Sequence, residues 1–294
     1  MWKGADDQAV AIGVRAFARS IHQASTTALN GALTAVANGY EDLLARELRP
    51  WQDDAGRLIL PVRPIVYGGD DVTVVCHGRL GLWLAAKYLQ GFAACDGADG
   101  KKLSACAGVA IVHTRAPFSR SYGLAAELCT SAKQRSRAES RADSSSEASW
   151  LDAHLALEGA GEALDTVRHR RLVPFPDGGV GQLDWRPWRL SPAQRDDRDW
   201  DTVAGWLREF ADRERWPASV RRSLLDSLAA GPAASAAALA HQAARGRNLP
   251  PLGTAAVTDG WTSRSSLNSV EEHSRATPYF DPLELAEYFW EAPE

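Results

Sequence analysis

The chain has 294 residues, 45% of them hydrophobic, with 33 Lys and Arg against 37 Asp and Glu and a formal net charge of −4 at pH 7. That length holds two compact units or one large one, and the apolar content is enough to fold. The near balance of charge excludes a global basic excess that would announce nucleic acid, and no apolar run approaches the ~20 residues of a membrane span.

The start, Met1-Trp2-Lys3-Gly4-Ala5-Asp6-Asp7, lacks the apolar stretch of a signal peptide. Cys76, Cys95, Cys106 and Cys129 form no C-x-x-C pair, which argues against a zinc ribbon or a disulfide framework. Free, mostly buried thiols in a reducing cytoplasm are expected instead. The seven histidines contain no H-E-x-x-H pair, so no hydrolytic metal site is expected.

In chain order, Val10, Val14, Phe17 and Ile21 recur at helical spacing. Leu29 through Leu48 continue the period after Ser25-Thr26-Thr27, which has N-cap chemistry, so two helices are predicted before Pro50. Asp6 and Asp7 suit a helix N-terminus. Leu58 to Tyr67 is extended, with hydrogen-bonded strand expected from about Ile65, past Pro61 and Pro64. Leu80 to Phe92 reads as a buried helix, Leu103 to His113 as an interior strand rich in Ala and Val, and Pro117 to about Lys133 as a turn and a helix. Gln134 to Ser149 is nearly devoid of apolar residues and is expected to be a flexible insert. Trp150 to Leu157 reads as a strand, Pro174 to Gly179 as a turn and Gln182 to Leu190 as a closing strand. Trp200 to Phe210, Ala218 to Leu228 and Ala233 to Arg245 have helical period, and Gly231-Pro232 separates the last two. Residues 246–280 are rich in Gly, Ser, Thr and Pro, and Pro282 to Trp290 forms a last short helix. The expectation is an α+β chain in which residues 1–190 form a layered sheet-and-helix domain and residues 191–294 a helical one.

The chemistry concentrates at Gly68-Gly69-Asp70-Asp71, flanked by Ile65-Val66-Tyr67 and Val72-Thr73-Val74-Val75. Two β-branched runs around Gly-Gly predict an antiparallel hairpin with a primed turn. Neighbouring carboxylates on a rigid tip suit a hard cation beside phosphates. The same residues also suit an ordinary solvated turn.

The order of these elements carries a resemblance. Pro64 to Val75, Leu103 to His113, Ala116-Pro117-Phe118-Ser119 and the helix Leu124 to Lys133 together resemble the second palm domain of the large subunit of type III CRISPR effector complexes, and smaller relatives of it. The resemblance covers residues 5–190 best and extends more weakly to Pro278 to Glu284 in the tail. It implies a ferredoxin-like palm, an antiparallel sheet with helices packed on it, followed by a small helical bundle. The implied activity is nucleotidyl transfer that converts ATP to cyclic oligonucleotide second messengers in antiviral defence. By the resemblance, Asp70 and Asp71 hold the catalytic Mg2+ or Mn2+, Gly68 and Gly69 let the nucleotide approach the backbone, and Lys133 contacts phosphate. Lys133 also reads as a plain surface lysine, and Ser104 and His113 as structural. Implied partners are ATP, RNA and other effector subunits, and a homodimer stays open. Bacterial diguanylate cyclases fit less well, because Val72 stands where their motif carries an aromatic.

Two departures accompany the resemblance. The relatives begin with a strand bearing another metal-binding Asp, whereas this sequence starts at the helix that follows it, so either that strand lies upstream of Met1 or the palm is truncated. The nuclease domain and zinc-binding region that many large subunits carry have no counterpart in this sequence, so synthesis rather than DNA cleavage is expected. If it is truncated, the rival expectation is a weak or inactive palm acting as a nucleotide- or RNA-binding scaffold. In that reading it docks through one or two exposed members of the set Trp185, Trp188, Trp200, Trp206 and Trp216, most of which read as core, and meets RNA through Arg168-His169-Arg170-Arg171 or Arg213 to Arg222, clusters that also read as plain solvated faces.

Overall fold

A computed structural model describes residues 7–46, 48, 51–143, 148–157, 161–190, 198–252, 257–263 and 275–292. The chain is α+β and packs as two units, residues 1–105 with 290–294, and residues 106–289.

The first unit opens with α1 (Asp7–Asn38) and the short α2 (Tyr40–Ala45). The expected break at Ser25-Thr26-Thr27 does not occur. Thr26 Oγ1 donates to His22 O one turn back at 2.8 Å, and the Ser25 hydroxyl meets Tyr88 Oη at 3.1 Å. Hydroxyls satisfied in this way sit inside a helix instead of capping one. Asp7 opens α1, as expected of an N-terminal acid; Asp6 and Pro50 lie outside the described residues. The chain continues through β1 (Trp51–Gln52) and β2 (Leu58–Ile59), which pair antiparallel. Next come β3 (Val62–Gly68), β4 (Asp71–Cys76) and α3 (Gly81–Ala93). Strand β3 starts before Pro64, which sits opposite Val74, and the register shifts between Pro64 and Val66. A bulge there accommodates the missing proline donor. Helices α1 and α3 bury Ala24, Ala28 and Phe92, with Ile21, Tyr88, Leu103 and Ala105 packed around them. Gly91 makes the approach close, since a Cβ there would lie 3.2 Å from Ala28 Cα. Trp290 closes this unit edge-on to Trp83, its Nε1 donating to Asp42 Oδ2 at 2.5 Å.

The second unit begins with β5 (Cys106–Val112), α4 (Phe118–Asp143) and β6 (Trp150–Ala156). Strands β5 and β6 are parallel, paired from Cys106↔Trp150 to Val112↔Ala156, because the connection between them is a helical crossover. The predicted flexible insert is largely absent: residues 134–143 extend α4 by ten residues, and 144–147 lie outside the described residues. Gln, Arg, Ala and Glu are good helix formers. Tertiary partners hold the extension, with Arg135 over the Trp150 ring, Ser136 Oγ donating to Ala148 O and Glu139 paired to Arg189. The unit continues with α5 (Leu164–His169), β7 (Leu172–Pro174), β8 (Val180–Gln182) and β9 (Trp188–Arg189). The expected closing strand is thus split. Gln182 pairs within the β7–β8 hairpin, Trp188 and Arg189 pair with β6, and residues 183–187 between them are irregular.

The predicted bundle is present as α6 (Trp200–Ala211), α7 (Ala218–Ala229) and α8 (Pro232–Ala243). After it come the paired β10 (Thr262–Ser263) and β11 (Arg275–Ala276), then α9 (Phe280–Leu285) with a 3-10 turn over Ala286–Tyr288. These helices do not make a core of their own after residue 190. Trp206, Phe210, Trp216, Leu224 and Leu283 bury together with Val173, Phe175 and Leu183.

Candidate functional site

The hairpin is built as its residues dictate. Gly68 pairs with Asp71, so Gly69 and Asp70 alone form the tip. Gly69 has φ +64°, the left-handed value that a primed two-residue turn demands at its first position. No atom lies within 4 Å of a Cβ built on Gly68 or Gly69, so the backbone there is open to an approaching ligand. Asp70 and Asp71 are both exposed.

Side chains from α1 and α3 stand behind the tip. The Tyr67 hydroxyl hydrogen-bonds to Thr26, and its ring lies 5.9 Å from that of His22. Burial lifts the Tyr88 phenol above its ordinary pKa. The Ser25 hydrogen bond opposes the shift, and the charges of Tyr67 and Asp70 add to it. The sequence places Tyr67 in a strand and Tyr88 on a buried helix face; the packing of the first unit brings Tyr67 against Thr26 and His22, and Tyr88 against Ser25.

No protein-family model matches the chain, and no curated protein matches it. The site is therefore argued from its own residues.

Carboxylate oxygens suit Mg2+, which is held by one or two carboxylates, waters and the substrate's phosphates rather than by an all-protein cage. The two consecutive acids meet that requirement. Among the described residues, no set of three or more His, Cys, Asp or Glu gathers into a metal-holding group. Lys133 is exposed on α4, in the second unit, whereas the hairpin belongs to the first. Ser104 and His113 flank β5, and His113 Nδ1 accepts from Arg115 N, a structural contact.

The second unit contains a buried charged network that sequence reading missed. Asp281 Oδ2 accepts from Trp185 N at 2.8 Å and Arg186 N at 2.9 Å, while its Oδ1 accepts from Arg186 Nε at 2.9 Å and Nη2 at 2.7 Å. Arg186 Nη2 also donates to Glu284 Oε2 at 2.7 Å and Nη1 to Ala153 O at 2.6 Å. Arg171 bridges Asp184 and Glu284. Burial opposes ionisation of Asp184, yet Arg171, Arg186 and Arg168 hold its carboxyl below the usual range. Burial lowers His154 to about 4, and Arg186 and Arg171 push the same way, so it is neutral at pH 7. All three guanidinium nitrogens of Arg186 donate inside the protein, and the network fastens α9 to the segment around residue 186. Its only sequence signal was the run Pro278 to Glu284.

The five tryptophans are core, and the basic clusters are partly paired within the fold. Trp185, Trp188, Trp200, Trp206 and Trp216 are all buried. In the first basic cluster, Arg171 sits in the network, Arg168 pairs with Asp152, and Arg170 pairs with Glu162. In the second, Arg221 is buried, its guanidinium donating to Phe210 O and Glu287, whereas Arg213 and Arg222 are exposed.

Proposed function

We propose that this protein is a metal-dependent nucleotidyltransferase of the palm type, acting on ATP to make cyclic oligonucleotide second messengers in CRISPR-type antiviral defence. The observation that carries the reading is the two-residue tip, in which Gly69 at positive φ turns the chain and leaves Asp70 and Asp71 exposed side by side. Mg2+ or Mn2+ bound there would supply charge neutralisation on a triphosphate and a lowered pKa for an attacking ribose hydroxyl. The chain's own residues do the rest. Asp70 and Asp71 fix where the triphosphate docks, and the open backbone at Gly68 and Gly69 admits it without a steric barrier. Tyr67 and Thr26, joined by their hydroxyls, support the strand behind the tip. Positioning and charge stabilisation account for most of the rate in such chemistry, so no dedicated protein base is needed. Lys133 is retained as a proposed phosphate contact. RNA and other effector subunits are its proposed partners, and the cytoplasm its proposed location.

Labelled ATP incubated with the protein and Mg2+ or Mn2+ tests the reading. Oligonucleotide products should form, and Asp70→Asn/Asp71→Asn should lower their rate at least about a hundredfold while the thermal unfolding midpoint holds. Equal product from wild type and variant rejects it.

A further inference from the structure

The solvent face of α4 carries a pattern that the hairpin chemistry does not use. Phe118, Tyr122, Lys133, Arg137 and Arg141 are all exposed, the two aromatics at 54% and 49%. At 100° per residue, the five fall within about 140° of one another around the helix. Lys133, Arg137 and Arg141 follow at four-residue steps, about 6 Å apart along the axis, a spacing comparable to the phosphate repeat of an extended nucleic-acid strand. The rings of Phe118 and Tyr122 lie 6.1 Å apart at the other end of the same face. The two acids of the helix whose side chains are described are engaged elsewhere: Glu127 Oε2 accepts from Leu164 N at 2.9 Å, and Glu139 pairs with Arg189 at 3.0 Å. The stripe is therefore cationic locally, although the chain as a whole is not.

We infer that this face of α4 binds single-stranded nucleic acid. A row of cations that tracks the backbone, joined to exposed rings on which bases stack, is the chemistry that recognises a single strand. A duplex offers no free base faces to Phe118 and Tyr122, and an anionic membrane would not match a row of charges with aromatics confined to one end. The site does not depend on catalysis at the hairpin, and its test spares Lys133.

Fluorescence anisotropy with labelled 20-nucleotide RNA and DNA of one sequence, measured across a salt series starting at about 50 mM, reads the binding. Wild type should bind at least one of the two strands, with affinity falling steeply as salt rises; which strand is preferred separates RNA from DNA as the source. Arg137→Glu/Arg141→Glu should weaken binding at least about tenfold and flatten the salt slope by at least about 1.4. Phe118→Ala/Tyr122→Ala should weaken binding about tenfold with little change in slope. Arg213→Glu/Arg222→Glu carries the same change of charge elsewhere in the unit and should stay within about twofold of wild type. Unchanged circular dichroism melts confirm that each variant is folded. The inference is overturned if wild type binds neither strand at the lowest salt, if it binds only anionic vesicles, if the α4 charge variant binds as wild type does, or if the Arg213/Arg222 variant loses as much.

Discussion

At Gly108, in the middle of β5, a Cβ would come within 2.1 Å of Ala125 O and 2.4 Å of Cys129 N. Those are backbone atoms of α4, which cannot swing aside as a side chain would. Overpacking of this kind costs about 1–3 kcal/mol, so Gly108→Ala should lower stability by about 2–3 kcal/mol, read as a fall in the urea midpoint. Gly123 in α4 has nothing within 4 Å of its would-be Cβ, and Gly123→Ala should raise the midpoint by up to about 1 kcal/mol. The opposite signs separate close packing from helix propensity. Both glycines sit in unremarkable sequence, and only the packing of helix on strand distinguishes them.

Among the elements, the β3–β4 hairpin stands apart. Its two strands pair with no third strand among the described residues, and Ile65, Val66, Tyr67 and Val75 are exposed on it. A two-stranded hairpin gains little stability alone. Hydrogen–deuterium exchange read by mass spectrometry should therefore show Val62–Gly68 and Asp71–Cys76 exchanging well before Cys106–Val112 and Trp150–Ala156, which pair along seven residues under α4. Equal protection in the two sheets would contradict this. The hairpin itself was legible in the sequence, because Gly tolerates the positive φ that a two-residue turn between β-branched runs needs. The extension of α4 was not, since residues 134–143 have almost no apolar period; their helix is held by Trp150, Ala148 and Arg189, far along the chain.

For the whole molecule, the half-buried Cys76 and Tyr88 and the buried Tyr279 tie stability to alkaline pH. Burial pushes the Cys76 thiol up to about 12, and raises the phenols of Tyr88 and Tyr279 above their ordinary values. Each group keeps its proton in the folded chain at a pH where the unfolded chain has lost it. The related stability is fully present below the unfolded values, near 9 for the thiol and 10 for the phenols, and is lost as pH rises toward the folded ones. The unfolding midpoint should hold up to about pH 9 and fall by a few kcal/mol equivalent by about pH 12. Cys76→Ala should blunt the early part of that fall, and a midpoint flat across the window would refute the account. Among the described residues no helix is long and apolar enough to cross a membrane, in line with the sequence expectation.

The sequence by itself determined the features that are local. Three helices of the bundle, the turn of the hairpin, the strands at residues 106–112 and 150–156 and the exposure of Asp70 and Asp71 follow from period, turn chemistry and flanking β-branched residues, which act within a few residues of where they stand. Tertiary structure alone decided the rest. The unbroken α1, the long α4, the core shared by the β7–β8 hairpin and the bundle, and the Arg186–Asp281 network each depend on partners distant in the chain, whose burial and hydrogen bonds outweigh local preference.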